Sequence, residues 1–393
     1  MKKLAAFIVP EGLLVVAAAI VVQGGGHLLR GPVASFGRFY PIAVLAAGLA
    51  IGWRFQRSRL VFALIGLALA DRALLLAPDN RVVFHAAALL LPLNLTALVL
   101  LAERGILTPA GLLQLAVLLV QVGAVALLAS AEPAATAAVL RHAFVPRRWF
   151  AWTPIAQPAL LTFGAAFAVL AVRLTVQPSA IGRGFLWALV ATFLALNAAP
   201  TIYFATAGLV LVVAVIEASY VMAYHDGLTG LPARRALHEA LLRAGRRYTV
   251  AMVDVDHFKQ FNDRYGHDVG DQVLRMVGAA LAQVSGGGKA FRYGGEEFAL
   301  VFSGRTVDEC APHLEELRRT VEATSFTVRG RVRPLKKPAR PKAGRKRRKQ
   351  LAVTVSIGVA ERGERRDTPE AVITAADRAL YRAKEAGRNR VVA

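Results

Sequence analysis

The hydrophobic and polar positions divide this 393-residue chain into two parts of different character. From residue 4 to residue 222, apolar runs of about 16–22 residues alternate with short polar or Pro/Gly punctuation. The runs fall at roughly 4–23, 39–54, 60–77, 83–102, 111–130, 158–176, 184–199 and 202–222. A helix needs about 20 residues to cross some 30 Å of hydrocarbon. The pattern therefore predicts eight membrane spans, with an error of one or two set by the short runs 39–54 and 184–199. A cleaved signal peptide at Met1–Gln23 is disfavoured: its apolar stretch is long, contains Glu11 and lacks a small-x-small cleavage site. A retained first span is expected instead.

From residue 223 the periodicity changes. Residues 232–247 read as an amphipathic helix with Leu237, Leu241 and Leu242 on one side. Tyr248–Asp254 is a short apolar β-type run ending in a carboxylate, and a helix is expected from about 271 to 284. Two β-type runs, 290–293 and 298–302, flank Gly294-Gly295-Glu296-Glu297 and predict a hairpin. Two more strands are expected at Ser325–Val328 and Leu351–Ser356.

Composition sharpens the division. Hydrophobic residues make up 55% of the chain, mean hydropathy is +0.46, and the net charge is nonetheless +22. Residues 1–222 carry a net +9 and residues 223–393 a net +13, of which 12 basic residues lie between Arg329 and Lys349. Without that insert the second part would be close to neutral, so the basicity is local. Cys310 is the only cysteine, which excludes an intrachain disulfide and a thiolate zinc cluster. Within or near the apolar runs lie Glu11, Asp71 beside Arg72, and His85. Intramembrane charges are costly and commonly mark pairs or cavities. Mutual pairing that fixes helix packing is the first reading, and ligand sensing the second.

The chemistry concentrates in the second part. A strand ending at Asp254 holds a carboxylate on a rigid edge, as a magnesium ligand requires. Glycines 294 and 295 leave room for phosphates to approach the backbone, and Glu296 and Glu297 can share a metal with Asp254. Taken singly, a strand-end Asp is more often a turn residue and a Gly-Gly hairpin more often structural. Their joint order and spacing carry the argument.

Residues 226–393 resemble a GGDEF domain, the diguanylate cyclase family, in its GGEEF form. The resemblance rests on Asp226-Gly227-Leu228-Thr229-Gly230-Leu231-Pro232, the Asp254–Asp271 block, Arg292-Tyr293-Gly294-Gly295-Glu296-Glu297-Phe298, Val353–Ala360, Ala376–Tyr381 and Ala383–Arg390. It implies an α-helical membrane domain (1–222, a sensor) followed by a palm-like α/β domain (223–393) with a central antiparallel sheet. The implied reaction joins two GTP molecules into cyclic di-GMP in a homodimer, each subunit presenting a half-site. In the implied roles, Asp254, the Val255 carbonyl, Glu296 and Glu297 bind magnesium or manganese, and Glu296 is also the base for the ribose 3′-hydroxyl. Lys259 neutralises phosphate charge, Asn262 and Asp271 read guanine, His267 contacts substrate, and Gly294 and Gly295 face the phosphates. Lys384 and Arg388 form a phosphate-binding pair, expected on one helix face because they lie one turn apart. Cytoplasmic GTP would place both termini inside a bacterial inner membrane. The positive-inside count supports this weakly, with eight basic residues in segments assigned inside and six outside.

Three departures from the family pattern matter. Ala233 precedes Arg234-Arg235 where Asn is frequent. The position of the family's inhibitory Arg-x-x-Asp is Ser285-Gly286-Gly287-Gly288, which predicts no product inhibition there. The third is the insert 329–349, whose like charges, Pro and Gly predict disorder and, more sharply, contact with anionic lipid. Nucleic acid ranks last for it, since no aromatic residues interleave the charges. Two competing functions remain: a catalytically silent GTP-binding regulatory receptor, and a transporter with an appended regulator.

Overall fold

A computed structural model of the chain describes residues 10–24, 32–131, 133–198, 200–327, 350–363 and 367–393. The basic segment 329–349, expected to be disordered and to touch lipid, lies outside the described residues, as do residues 1–9. The chain separates into two compact units, Met1–Ser219 and Tyr220–Ala393.

The first unit is helical. Its elements are α1 (Glu11–Gln23), α2 (Pro32–Arg54), α3 (Ser58–Leu76), α4 (Arg81–Leu100), α5 (Pro109–Ala131), α6 (Pro133–Leu140), α7 (Gln157–Val176), α8 (Ala180–Asn197) and α9 (Pro200–Tyr224), the last continuing past Ser219. Over the described residues, each of the eight apolar runs falls mainly within one of these helices, with residues 77, 101–102 and 198 lying past the helix ends. Five of them, α4, α5, α7, α8 and α9, are long and apolar enough to cross a membrane. By contrast α1 has 13 residues, and α3 carries Arg59, Asp71 and Arg72. Side-chain caps fix two starts: Asn80 accepts from Val82 and Val83 N–H, and Ser179 accepts from Gly182 N–H.

Polar contacts gather at the two ends of this bundle. At one end Arg183 donates to Glu11 (2.8 Å) and to Glu217, while Arg57 bonds Glu103 (3.1 Å). At the other, Thr201 donates to Asp71 (2.8 Å) and Thr153 to Asn197 (2.7 Å). Glu11 is wholly buried, so its pairing with Arg183 offsets a desolvation cost of several kcal/mol. Glu11 and Asp71, the carboxylates of the apolar runs, thus each make a contact between helices.

The second unit is a sheet between two helical layers. Its strands are β1 (Tyr248–Val255), β2 (Lys289–Gly294), β3 (Glu297–Ser303), β6 (Val355–Glu361) and β7 (Val391–Val392), in the order β2-β3-β1-β6-β7. The pairs are antiparallel except β6–β7, which is parallel, so the sheet is mixed at one edge rather than wholly antiparallel. Strands β4 (Phe326–Thr327) and β5 (Gln350–Leu351) form a separate two-stranded ladder. The helices are α10 (Arg234–Arg243), α11 (Phe258–Tyr265), α12 (His267–Leu281), α13 (Val307–Ala323) and α14 (Pro369–Glu385).

Strand β1 is buried along its whole length, and alternation sends its side chains to two cores. Ala251, Val253 and Val255 pack with Val273, Leu274, Leu314 and Leu317 of α12 and α13. Tyr248, Val250 and Met252 pack with Leu237 and Leu241 of α10 and Ile373, Ala376 and Leu380 of α14. The helix expected at 271–284 starts four residues earlier, at His267. Gly266, at φ +84°, breaks the chain between α11 and α12, a conformation that costs glycine little.

Candidate active site

The site grows from the C-terminal end of β1. Asp254 is 6% exposed and sits directly opposite Glu297 of β3 in the antiparallel register, with Ser356 of β6 on its other side. Like charges directly opposite across a ladder are destabilising. Glu296 lies one residue before β3, in the turn that follows Gly294 and Gly295. Burial, foremost, and the neighbouring Asp254 charge push both Glu296 and Glu297 above the ordinary glutamate range. Burial likewise raises Asp254, although an ammonium sits on it: Lys384 Nζ is 3.0 Å from Asp254 Oδ1. Lys384 comes from the last turn of α14, which packs on the Asp254 face of the sheet.

Why α14 lies so close is local. A Cβ built on Gly358 of β6 would stand 2.0 Å from Leu380 N and 2.3 Å from Ala376 O. Only glycine lets the helix backbone rest on the strand, and that approach carries Lys384 to Asp254.

The turn has its own clamp. Arg292 donates through Nη1 to Asp226 (2.7 Å) and through Nε to the Gly295 carbonyl (3.1 Å). Its N–H bonds the Pro232 carbonyl (2.8 Å), and Asp226 also accepts from Thr229 N–H and Oγ1–H. The opening Asp226–Pro232 motif and the hairpin are therefore one structure. A Cβ on Gly294 or Gly295 would meet nothing within 4 Å, so internal packing does not demand these glycines; the space lies open on the turn. The left-handed φ of Gly295, +40°, is a further reason for glycine there.

The C-terminal loop corrects one expectation. Arg388 does not share a helix face with Lys384, because α14 ends at Glu385. Gly387 takes φ +104°, its N–H bonds Lys384 O, and Arg388 N–H bonds Ala383 O, closing a Schellman turn. Arg388 and Asn389 are themselves left-handed (φ +62° and +47°). The turn still leaves Arg388 near enough to Asp254 to favour its ionised form. Asn389 N–H bonds Asp256 Oδ2 (3.1 Å), and Asp256 also accepts from Thr354 (2.7 Å) and Ser356 (2.7 Å). Asp256 is a satisfied structural carboxylate joining β1, β6 and this loop. Arg318 of α13 completes the support, bonding Asn389 Oδ1 at 2.6 Å.

The remaining site residues lie on α11 and α12. Lys259 is exposed on the first turn of α11. Asn262 turns its Oδ1 inward, where it is buried without a hydrogen-bond partner, against Gly270 (a Cβ there would stand 1.8 Å away). His267 and Asp271 are one turn apart on α12, and Asp271 borders an open cleft with Asp268, Gln272 and Arg275. The fold thus forms two groups, Asp254/Glu296/Glu297/Lys384/Arg388 and Asn262/His267/Asp271, with Lys259 just after β1. Among the described residues no three His, Cys, Asp or Glu side chains are gathered tightly enough to hold a metal by themselves.

Sequence reasoning missed Arg292, Gly358, Asp256, Asn389 and Arg318 as supports, although the quoted motifs contain all but Arg318. At the Ser285–Gly288 turn, Ser285 Oγ bonds His313 Nδ1 (2.8 Å) and Glu316 (2.9 Å).

Comparison with known proteins bears on this unit alone. Residues 223–390 match the family model described as "Diguanylate cyclase, GGDEF domain". This segment is a GGDEF domain. The diguanylate cyclase VdcA of Vibrio cholerae is 38% identical over 174 residues, 43% of this chain and 47% of that protein. The response regulator PleD of Caulobacter vibrioides is 35% identical over 185 residues, 45% of this chain and 37% of that protein. The chain therefore spans less than half the length of these curated relatives. A crystal structure of the GGDEF domain of DgcB from Caulobacter crescentus, in complex with c-di-GMP, is 37% identical. The match covers 43% of this chain and 92% of that one, with a TM-score of 0.37.

Proposed function

We propose that the chain is a diguanylate cyclase of the bacterial cytoplasmic membrane. It condenses two GTP into 3′,5′-cyclic di-GMP and two pyrophosphates as a homodimer, under control of its helical unit. The observation that carries the reading is the facing pair Asp254 and Glu297, with Glu296 on the adjoining turn and the Lys384 ammonium seated on Asp254. Curated relatives named as diguanylate cyclases support the reaction class. Five helices of sufficient length and apolarity support the membrane placement, with the GGDEF domain in the cytoplasm where GTP is available.

The donor set suits a hard divalent cation. Asp254 raises the proton affinity of both Glu296 and Glu297, a cluster short of positive charge, and the ammonium on Asp254 stands in for a cation. Asp254, the Val255 carbonyl, Glu296 and Glu297 would hold magnesium or manganese, all through oxygen. When bound, the ion supplies charge neutralisation at the reacting phosphate.

The protein's own groups do the rest. Glu296, with its raised proton affinity, accepts the 3′-hydroxyl proton of one GTP as that oxygen bonds the α-phosphorus of the other. The bond from that phosphorus to the bridging oxygen breaks and pyrophosphate leaves. The second, symmetric attack closes the ring. Lys259, Lys384 and Arg388 neutralise phosphate charge, and the open Gly294-Gly295 turn admits the phosphates to the backbone. Asn262 and Asp271 read the guanine edge, and His267 borders the same substrate. An Asp acceptor for N1–H and the 2-amino group favours GTP over ATP. One domain holds one GTP, so two domains must face each other.

The test is incubation of the full chain, in lipid nanodiscs, with GTP and magnesium, followed by mass spectrometry of the products. Cyclic di-GMP from the wild type and none from Glu296→Ala is expected. Absence of product from the wild type in both zwitterionic and anionic lipid would sink the proposal.

A further inference from the structure

The helical unit contains a basic cavity that the cyclase reading does not use. It has a volume of about 370 Å3 and lies where α4 and α7 begin. The Thr153–Asn197 bond ties its loop to the end of α8. This size is at the lower end for small-ligand sites. Arg141, Arg147, Arg148 and His142 line it together with His85, and no carboxylate among the described residues does.

The floor and the wall both point to a ligand. His85 is only 6% exposed, and its Nδ1 is buried without a partner. An unmade hydrogen bond of this kind counts against the fold. The loop across the cavity is built rather than loose. Buried Gln157 accepts from Phe144 N–H (2.7 Å) and Val145 N–H (3.1 Å) and donates to the Val145 carbonyl (2.8 Å). Arg147 further bonds the Arg141 carbonyl (3.4 Å). This is the bundle end opposite the Arg183–Glu217 pair. In the proposed orientation it faces outward, the side on which basic residues are disfavoured. Three arginines concentrated there need a compensating role.

We propose that this cavity binds a phosphate group, with Arg147 and Arg148 at its mouth, Arg141 along its wall and the His85 ring at its floor. Arginine forks match tetrahedral oxyanions. The phosphate is either free in solution or the headgroup of a lipid. The site does not depend on the cyclase reaction and can be measured without GTP.

The experiment is hydrogen-exchange mass spectrometry on the full chain. In phosphatidylcholine nanodiscs, titrated inorganic phosphate is expected to protect residues 141–157 saturably. R147Q/R148Q, a change at two exposed side chains, is expected to weaken that protection at least tenfold, whereas K384M leaves it unchanged. Protection that appears only in phosphatidylglycerol nanodiscs, and is lost in R147Q/R148Q, assigns the phosphate to the lipid. If neither phosphate source protects the loop, or the double variant shifts the midpoint less than tenfold, the proposal is overturned.

Discussion

Replacing Gly358 by alanine tests how the sheet positions the chemistry. The added methyl would lie 2.0 Å from Leu380 N and 2.3 Å from Ala376 O, both backbone atoms of α14 that no rotamer change can move. An ordinary contact needs about 3.4 Å, so the helix must retreat by roughly 1.4 Å at this point. Overpacking of this kind costs about 1–3 kcal/mol, which lowers the melting temperature by about 2–12 °C for a domain of this size. The retreat also moves Lys384, one turn beyond Leu380, away from its 3.0 Å contact with Asp254. Displacements near 1 Å at reacting groups can lower turnover about 100-fold. The assay pairs initial rates of cyclic di-GMP formation with thermal melts of the full chain. G363A is the control, because a Cβ at Gly363 meets nothing within 4 Å. Wild-type turnover and melting temperature in G358A would refute the argument that this approach positions Lys384.

Three further outcomes are expected. E296Q should lower turnover by at least about 100-fold while a non-hydrolysable GTP analogue binds within a few-fold of wild type, measured by calorimetry. R292Q removes the partner of Asp226 and two bonds to Gly295 O, costing about 2 kcal/mol in thermal or urea unfolding. The pH dependence has a definite sign. Burial alone would raise Asp226, but Arg292 and Thr229 outweigh it and hold it below the usual aspartate range. A carboxylate depressed in the fold stabilises above its unfolded pKa and loses that contribution as pH falls through the folded value. The gap between wild type and R292Q should therefore close as pH drops below about 4. Finally, R318A removes one of the bonds that hold Asn389 and so loosens the loop carrying Arg388; KM for GTP should rise about tenfold, more than kcat falls, in steady-state assays.

Much of this was legible in the chain because it rests on local pattern. The apolar runs produced helices, and Gly294-Gly295 between two β-type runs produced the β2–β3 hairpin in the expected place. Asp254 lies one residue before the end of β1, because the apolar run closes at Val255. The errors have a common origin in single left-handed residues. Gly266 starts α12 early, and Gly387 ends α14 before Arg388, so helical spacing alone misassigned both. The parallel strand β7 is two residues long, too short for any periodicity. Long-range ion pairs are not written in local sequence at all. Arg183 reads as a loop cation, yet it meets Glu11 and Glu217 from helices 172 and 34 residues away.

The small β4–β5 ladder has a consequence for engineering. Phe326 pairs with Leu351 and Thr327 with Gln350, so two points distant in sequence are held together at a narrow neck outside the main sheet. Doubling the length of chain spanning such a neck costs only about 0.6 kcal/mol in closure entropy. This is accordingly the place to graft a fluorescent reporter or an affinity tag with both the Asp254 cluster and the Arg292 clamp left intact.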